Sequence, residues 1–250
     1  MRNLGKLFYK EYFKEVDFNY LLQGRDAPDS EVKKIKEQNR DLTSSNLLHK
    51  IEKNSSANAD FKLKISYPGL VTGVGINHEA KIEGEFKLGV HFDYTYGMPV
   101  VYGSSVKGVL RAWFMEFYEP KDNQPSKEEL FEDIFEGETK GVAKSIYNRD
   151  IFFDAVLVKA DRKGRILCSD SVTPHGGPER NNPLKNPTPI TFLKIAPGCE
   201  MEFRFKLVDS VIDGKTFSAE QKKTLFEEII KTVGVGAKTN VGYGQFTSTN

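Results

Sequence analysis

The chain has 250 residues, 28% of them charged and 38% apolar, and a net charge of +1, which fits a water-soluble globular protein of one large domain or slightly more. No run approaches the ~18 apolar residues that span a bilayer. The start Met1-Arg2-Asn3-Leu4-Gly5-Lys6 has no signal-peptide core, and Cys168 and Cys199 offer neither a disulfide framework nor a metal pattern. These bounds point to a cytoplasmic protein with no membrane partner, and they argue against a strongly basic nucleic-acid binder without excluding one, leaving room for a local basic groove.

Residues 1–58 form a helical N-terminal extension in this reading. Leu7, Phe8, Tyr12, Phe13, Val16 and Tyr20 recur at helical spacing, and after the start signal Pro28-Asp29-Ser30 a polar helix is expected over 31–53. The pair is expected to face solvent or a partner. Residues 59–250 read as a second unit. Strict alternation over 61–67 predicts a half-buried strand, and short strands are expected at 90–94 and 100–102.

Gly103-Ser104-Ser105-Val106-Lys107-Gly108-Val109-Leu110-Arg111 opens a helix, with Ser104 or Ser105 as N-cap. Its apolar face comprises Val106, Val109, Leu110, Trp113 and Phe114. Lys107 and Arg111 project from one side, so free N–H groups, two hydroxyls and two cations make a phosphate site conceivable. The plainer alternative is that the serines cap and the cations are merely solvated. An acidic helix is expected over 126–135, with Ser126 and Glu129 as a capping box.

A buried strand is expected over 150–158. Residues 169–190 carry five prolines and two glycines and read as an inserted loop or protruding hairpin that contains His175. Strands at 190–193 and 201–207, a helix over 219–233 and a last strand around 243–247 complete a β-α-β-β-α-β order. That is the α+β, ferredoxin-like pattern also used by RRM domains.

The run Gly234-Val235-Gly236-Ala237-Lys238-Thr239-Asn240-Val241-Gly242-Tyr243-Gly244 holds four glycines and no acidic residue. Such a loop either holds a ligand or packs unusually tightly. A P-loop fails on order, because the run lies between a helix and a strand and lacks Gly-Lys-[Ser/Thr]. Ser104-Ser105-Val106-Lys107 fits the Ser-x-x-Lys of acyl-transfer enzymes, and Lys238-Thr239-Asn240 is one residue from Lys-Thr-Gly, but the Ser-Asp-Asn element is missing. RNA binding fits better, with Tyr243 on the last strand stacking a base, Lys238 on a phosphate, and Gly236, Thr239 and Asn240 beside them.

The segment from Pro99 to Arg111 resembles the Pro-x-Ile-Pro-Gly-Ser-Ser-x-Lys-Gly-x-x-Arg stretch of the RAMP superfamily, the repeat-associated RNA-binding proteins of CRISPR systems. The run from Gly234 to Gly244 resembles that family's C-terminal glycine-rich loop. The stretch from Asp170 to His175, with Pro189-Ile190-Thr191-Phe192-Leu193, is similar to the middle of a member from type III-B (Cmr) effector complexes. The resemblance runs from about residue 60 to 246. It departs at Tyr102, where proline is usual, and in lacking the tyrosine pair that often follows the histidine.

The resemblance implies a RAMP fold of ferredoxin-like type and a noncatalytic subunit without metal or cofactor. Such a subunit would cap the filament of backbone subunits, hold the 3′ part of the CRISPR RNA and meet target RNA. Its protein partners would be other RAMP subunits and small helical subunits. Ser104, Ser105, Lys107, Arg111, Gly236, Lys238, Thr239, Asn240, Tyr243 and His175 are the expected RNA contacts. RNA-cleaving relatives use an aspartate after the first strand. Residues 73–79 have none, which leaves His78 and Glu79 as local candidates for a metal-dependent cleavage alternative.

Overall fold

A computed structural model describes residues 3–75, 80–173 and 189–249. At its centre an antiparallel sheet runs in the order Phe246–Ser248, Ala59–Ile65, Glu200–Lys206, Ala155–Lys159, Val100–Val101, with Ile151–Phe152 also pairing to Glu200–Lys206. The alternation read from the sequence sets its two faces. Phe61, Leu63 and Ile65 turn inward, toward the helices Gly103–Phe117 and Ala219–Val233. Phe61 stacks on Phe203 and Phe205 at 5.2 and 5.6 Å, and Phe226 from the second helix closes on Phe205 at 5.6 Å. Aromatic pairs of this kind add specificity to the area they bury.

Trp113 lies outside that core at 42% exposure, because the buried stripe is Val106, Leu110 and Phe114 at strict four-residue spacing. The expected capping box at Ser126 and Glu129 forms, and the helix Lys127–Phe131 continues in π geometry over Glu132–Glu136. A second capping box, Ser218 with Gln221, starts the Ala219–Val233 helix.

A second sheet carries Val74–Gly75, Leu88–Gly89, Ile190–Ile195 and Leu167–Val172 in that order. The last two pair antiparallel from Ile190 opposite Val172 to Ile195 opposite Leu167. The irregular segment expected over 169–190 therefore begins and ends in strand. Residues 174–188, His175 included, lie outside the described residues.

Several boundaries differ from the sequence reading. The helix expected over 31–53 spans Asp29–Leu42. It stops where Thr43 and Ser44 turn their hydroxyls onto the carbonyls of Asn39 and Asp41, the local competition that favours turns over helix. The 90–94 strand is replaced by a turn in which Gly97 N–H bonds the Asp93 carbonyl at 2.8 Å, with only Phe92 bridging Pro99. The 150–158 strand breaks at Phe153 and Asp154.

The N-terminal helices are not a solvated pair. Leu4, Leu7, Phe8, Tyr12, Tyr20, Ile35 and Leu42 belong to one core with the sheet residues. Tyr12 is fixed at both ends of a polar relay, donating to Asn39 Oδ1 at 2.5 Å and accepting from Phe86 N–H at 2.9 Å. Burial pushes its hydroxyl pKa far above the usual range. Further along, residues 51–53 lie across the outer face of the central sheet, where Arg204 donates to the carbonyls of Ile51 and Glu52 at 3.0 Å each.

Candidate nucleic-acid interface

The Gly103–Phe117 helix is capped by backbone and by a distant carboxylate, not by its serines. Tyr102 is the N-cap residue, so Ser104 and Ser105 fall inside the first turn. Asp154 takes the Gly103 N–H at 2.8 Å, which explains why the 150–158 strand is interrupted there. Gly103 abuts the Phe152 carbonyl so closely that a Cβ would sit 2.1 Å from it. The helix start thus already holds one anion, which diminishes its appeal for a phosphate. Ser104 remains exposed and Ser105 half-exposed.

The two cations of this helix differ. Lys107 lies over the Phe152 ring at 5.9 Å and makes no ion pair among the described residues. Arg111 pairs with Glu136 at 2.5 Å and covers the Phe131 ring at 5.4 Å. Arg111 is therefore already neutralised, against the sequence expectation. Beside the helix start, His91 stacks on Tyr102 at 4.3 Å with planes 22° apart. Burial lowers the His91 pKa despite the nearby Asp154 carboxylate, so its ring is held neutral at pH 7.

The glycine run answers the question its composition raised, and the answer divides the loop. Its base is packed tightly. Gly236 has φ +100° and would place a Cβ 2.4 Å from the Val71 carbonyl, and Gly244 has φ +68° with a Cβ position 1.9 Å from the Val235 carbonyl. The bonds that need this approach are Ala237 N–H to Val71 O at 2.6 Å, Val235 N–H to Gly244 O at 2.9 Å and Gly244 N–H to Gly69 O at 2.8 Å. The tip is presented. Lys238 sits in the left-handed region at φ +62° and is exposed, followed by a 3-10 turn over Thr239–Val241. Lys238 makes no ion pair among the described residues.

Tyr243 is not a free stacking platform on the last strand. That strand is Phe246–Ser248, and Tyr243 lies in the turn before it. Its hydroxyl donates to Asp170 at 2.7 Å, its ring meets Phe192 edge-on at 5.9 Å, and Lys194 sits 5.4 Å above the ring centre while also bonding Asp170. Burial, reinforced by the Asp170 carboxylate, drives the Tyr243 pKa well above its usual range. Partial burial alone would raise Asp170, but the hydrogen bonds from Lys194 and Tyr243 outweigh it and hold the carboxyl below its usual range. This network anchors the loop to the second sheet, and the Tyr243 N–H in turn reaches the Lys238 carbonyl at 3.3 Å.

The outer sheet face, where an RRM would stack bases, also departs from expectation. It carries Lys62, Lys64, Glu202 and Arg204, with Arg204 bonded to Glu202 at 2.6 Å and buried under residues 51–53. The aromatic side chains of the strands point to the helices instead.

The helix start and the glycine loop are carried at opposite edges of the central sheet, four strand spacings or roughly 19 Å apart. They are joined rather than apposed. Tyr102 stacks on His91, the His91 N–H donates to Thr72 Oγ1 at 2.7 Å, and the adjacent Val71 bridges Ala237. Asp154, His91 and Lys194 escaped the sequence reading, and Asp170 entered it only through the family resemblance, because their partners lie 11 to 73 residues away and no local pattern marks them. The Lys107 ammonium lies over the Phe152 ring, and among the described residues no hydrogen bond joins it to Ser104. His78 and Glu79, like His175, lie outside the described residues. Among the described residues no three His, Cys, Asp or Glu side chains gather as a metal site would require.

A sequence profile of the RAMP superfamily matches residues 62–247. The chain is 26% identical over 163 residues to the CRISPR system CMR subunit Cmr6 of Saccharolobus solfataricus, an alignment that covers 64% of this chain and 49% of that protein. It thus spans about half the length of that curated relative. Among solved structures, a chain of the type III-B Cmr-beta complex bound to cognate target RNA aligns with a TM-score of 0.52 at 20% identity, covering 76% of this chain and 58% of the other. Cmr6 from Pyrococcus furiosus aligns with a TM-score of 0.39 at 19% identity, covering 79% of this chain and all of that one. With three quarters of its length inside the family profile, the chain belongs to the RAMP superfamily.

Proposed function

We propose that this RAMP protein is a noncatalytic, RNA-binding subunit of a type III-B CRISPR effector complex, built on a ferredoxin-like core with a helical N-terminal extension. The strand order Phe246–Ser248, Ala59–Ile65, Glu200–Lys206, Ala155–Lys159 supports the ferredoxin-like reading, since it is the order a β-α-β-β-α-β chain adopts when every neighbour is antiparallel. The similarity to Cmr6 supports placement in such a complex, where the subunit would cap the backbone filament, hold the 3′ part of the CRISPR RNA and meet target RNA. Its surroundings would be cytoplasmic, with other RAMP and small helical subunits as neighbours.

The observation that carries this reading is the divided glycine loop. A backbone base with no room for a side chain at Gly236 or Gly244 presents Lys238 and Asn240 to solvent beside a half-exposed Thr239, an arrangement suited to a phosphate contact. Lys107 and the Ser104 and Ser105 hydroxyls add to it through the His91–Thr72 bridge, while Arg111 contributes less because Glu136 must first release it.

The test is to express the chain with the remaining Cmr subunits and a CRISPR array, purify it by its own tag, and sequence the RNA that it retains. Short RNAs with a fixed 5′ sequence, retained and uncut after incubation with Mg²⁺ or Mn²⁺, are the expected outcome. Absence of RNA would refute the binding role. Metal-dependent cuts that vanish in His78→Ala or Glu79→Ala would replace the noncatalytic reading with cleavage.

A further inference from the structure

The loop's packing creates a longer feature than the loop itself. Residues 64–66 pair antiparallel with 245–247, and past the turn at Tyr67 and Pro68 the chain meets the glycine loop again at Gly69 and Val71, which makes one continuous seam. Val71 bridges Ala237, the Gly244 N–H reaches Gly69 O at 2.8 Å, the Ser66 N–H reaches Gln245 O at 2.9 Å, and Lys64 pairs with Thr247. The seam is regular strand only over 64–65 opposite 246–247, and its other half is turn, with a 3-10 turn over Thr239–Val241. Lys238 stands at one end of it.

At the other end lies a polar cleft that crosses four neighbouring strands of the central sheet and is lined by Lys64, Lys159, Arg162, Thr247 and Ser248. Two acids also line it, and both are engaged. Glu200 bonds Lys159 at 2.6 Å, and Asp161 is held by Arg165 at 2.9 Å and by the backbone N–H groups of Lys163 and Arg165. Lys64 and Arg162 make no ion pair among the described residues. Two uncompensated cations beside two hydroxyls form a surface suited to phosphate oxygens.

Between the two ends stands Tyr67, 86% exposed, next to Pro68, whose ring lies against Gly242 of the loop. A solvent-exposed tyrosine flanked along one seam by cations has the composition of a single-strand track, in which cations follow the backbone and aromatic rings stack bases without regard to sequence. Tyr243, the residue expected to stack, is locked inward by Asp170; Tyr67 is its free counterpart on the same seam.

We propose that this seam is a binding track for single-stranded RNA, with Lys238 on a phosphate at one end, Tyr67 stacking a base midway, and Lys64 and Arg162 on phosphates in the cleft that crosses the sheet. The proposal rests on the RNA-binding function proposed above and adds a contact region that the glycine loop alone does not supply.

Fluorescence anisotropy of a labelled oligouridylate, titrated across a series of salt concentrations, tests it. Tyr67→Ala should weaken binding roughly tenfold and Tyr67→Phe should restore it. The double variant Lys64→Ala/Arg162→Ala should reduce the slope of log affinity against log salt by about 1.4, or about 0.7 for each lost phosphate contact. All these residues lie at the surface, so unchanged unfolding midpoints check that the variants fold. If Tyr67→Ala and the double variant bind like the parent while Lys238→Ala is weakened, the track is overturned and the loop reading stands. If Lys238→Ala is also unchanged, the loop-tip phosphate contact falls with the track, whereas a parent that fails to bind the oligouridylate would refute the RNA-binding function.

Discussion

Lys222 is the residue whose surroundings are hardest to foresee from the chain. It lies in the middle of an amphipathic helix, yet its side chain is fully buried and pairs with an equally buried Asp150 at 2.6 Å. Burial lowers the Lys222 pKa and raises that of Asp150, and each is the other's compensation. Asp150 also accepts the Val208 N–H at 2.9 Å, which ties the helix to two chain segments. Removing one partner strands a buried charge, so Lys222→Ala should destabilise the fold by about 3–5 kcal/mol in denaturant unfolding, and Lys222→Met/Asp150→Asn should recover much of the loss. A loss under about 1 kcal/mol for the single variant would refute the pairing.

Asp133 supplies the pH dependence at this scale. Burial alone would raise its pKa, but hydrogen bonds from Ser210, Lys144 and Thr139 outweigh it and hold the carboxyl below the usual 3.8. A group whose folded pKa is depressed stabilises the fold above its unfolded value and loses that contribution as pH falls through the folded one. Stability should therefore decline as pH drops below about 4 and keep declining at lower pH, and Asp133→Asn should show a shallower decline. Equal acid limbs in parent and variant would contradict this linkage.

Among the elements, the glycine loop makes the sharpest comparison. A Cβ at Gly244 meets the Val235 carbonyl, whereas Gly141, at φ +74°, has nothing within 4 Å of its Cβ position. Gly141→Ala should cost only the left-handed backbone term, about 1 kcal/mol, while Gly244→Ala adds a backbone clash and should lower stability several-fold more. Similar unfolding midpoints for the two would mean that the loop base is looser than described.

What the sequence disclosed about these elements follows from how local their causes are. The helix Ala219–Val233 and both capping boxes are set by residues within one turn of each other, and the strands Ala59–Ile65 and Glu200–Lys206 by a two-residue alternation. The capping box at Ser126 was accordingly legible. The break at Asp154 was not, because its cause is a helix N–H some fifty residues away, and the inward turn of Tyr243 depends on Asp170 in another sheet. Two hairpins, Glu138–Thr139 with Val142–Ala143 and Ser210–Ile212 with Lys215–Phe217, did carry a local signal in Lys140-Gly141 and Asp213-Gly214 that the reading passed over.

At the scale of the whole molecule, three placements decide where a nucleic acid can lie. The N-terminal helices share the core, so they are part of the scaffold that positions the site. Residues 51–53 lie over Glu202 and Arg204 and cover that part of the outer sheet face, where an RRM would stack bases. The two candidate RNA contacts are carried on opposite edges of the sheet and are linked through His91 and Thr72. The sequence identified the residue types at both contacts but not their separation, since strand order is a long-range property.

The central claim is that a rigid loop base presents Lys238 to an RNA phosphate, and the salt dependence of RNA affinity in the parent protein and in Lys238→Ala tests it most directly. The account predicts weaker binding by Lys238→Ala and a slope of log affinity against log salt shallower by about 0.7. Parallel lines for the two proteins would contradict it.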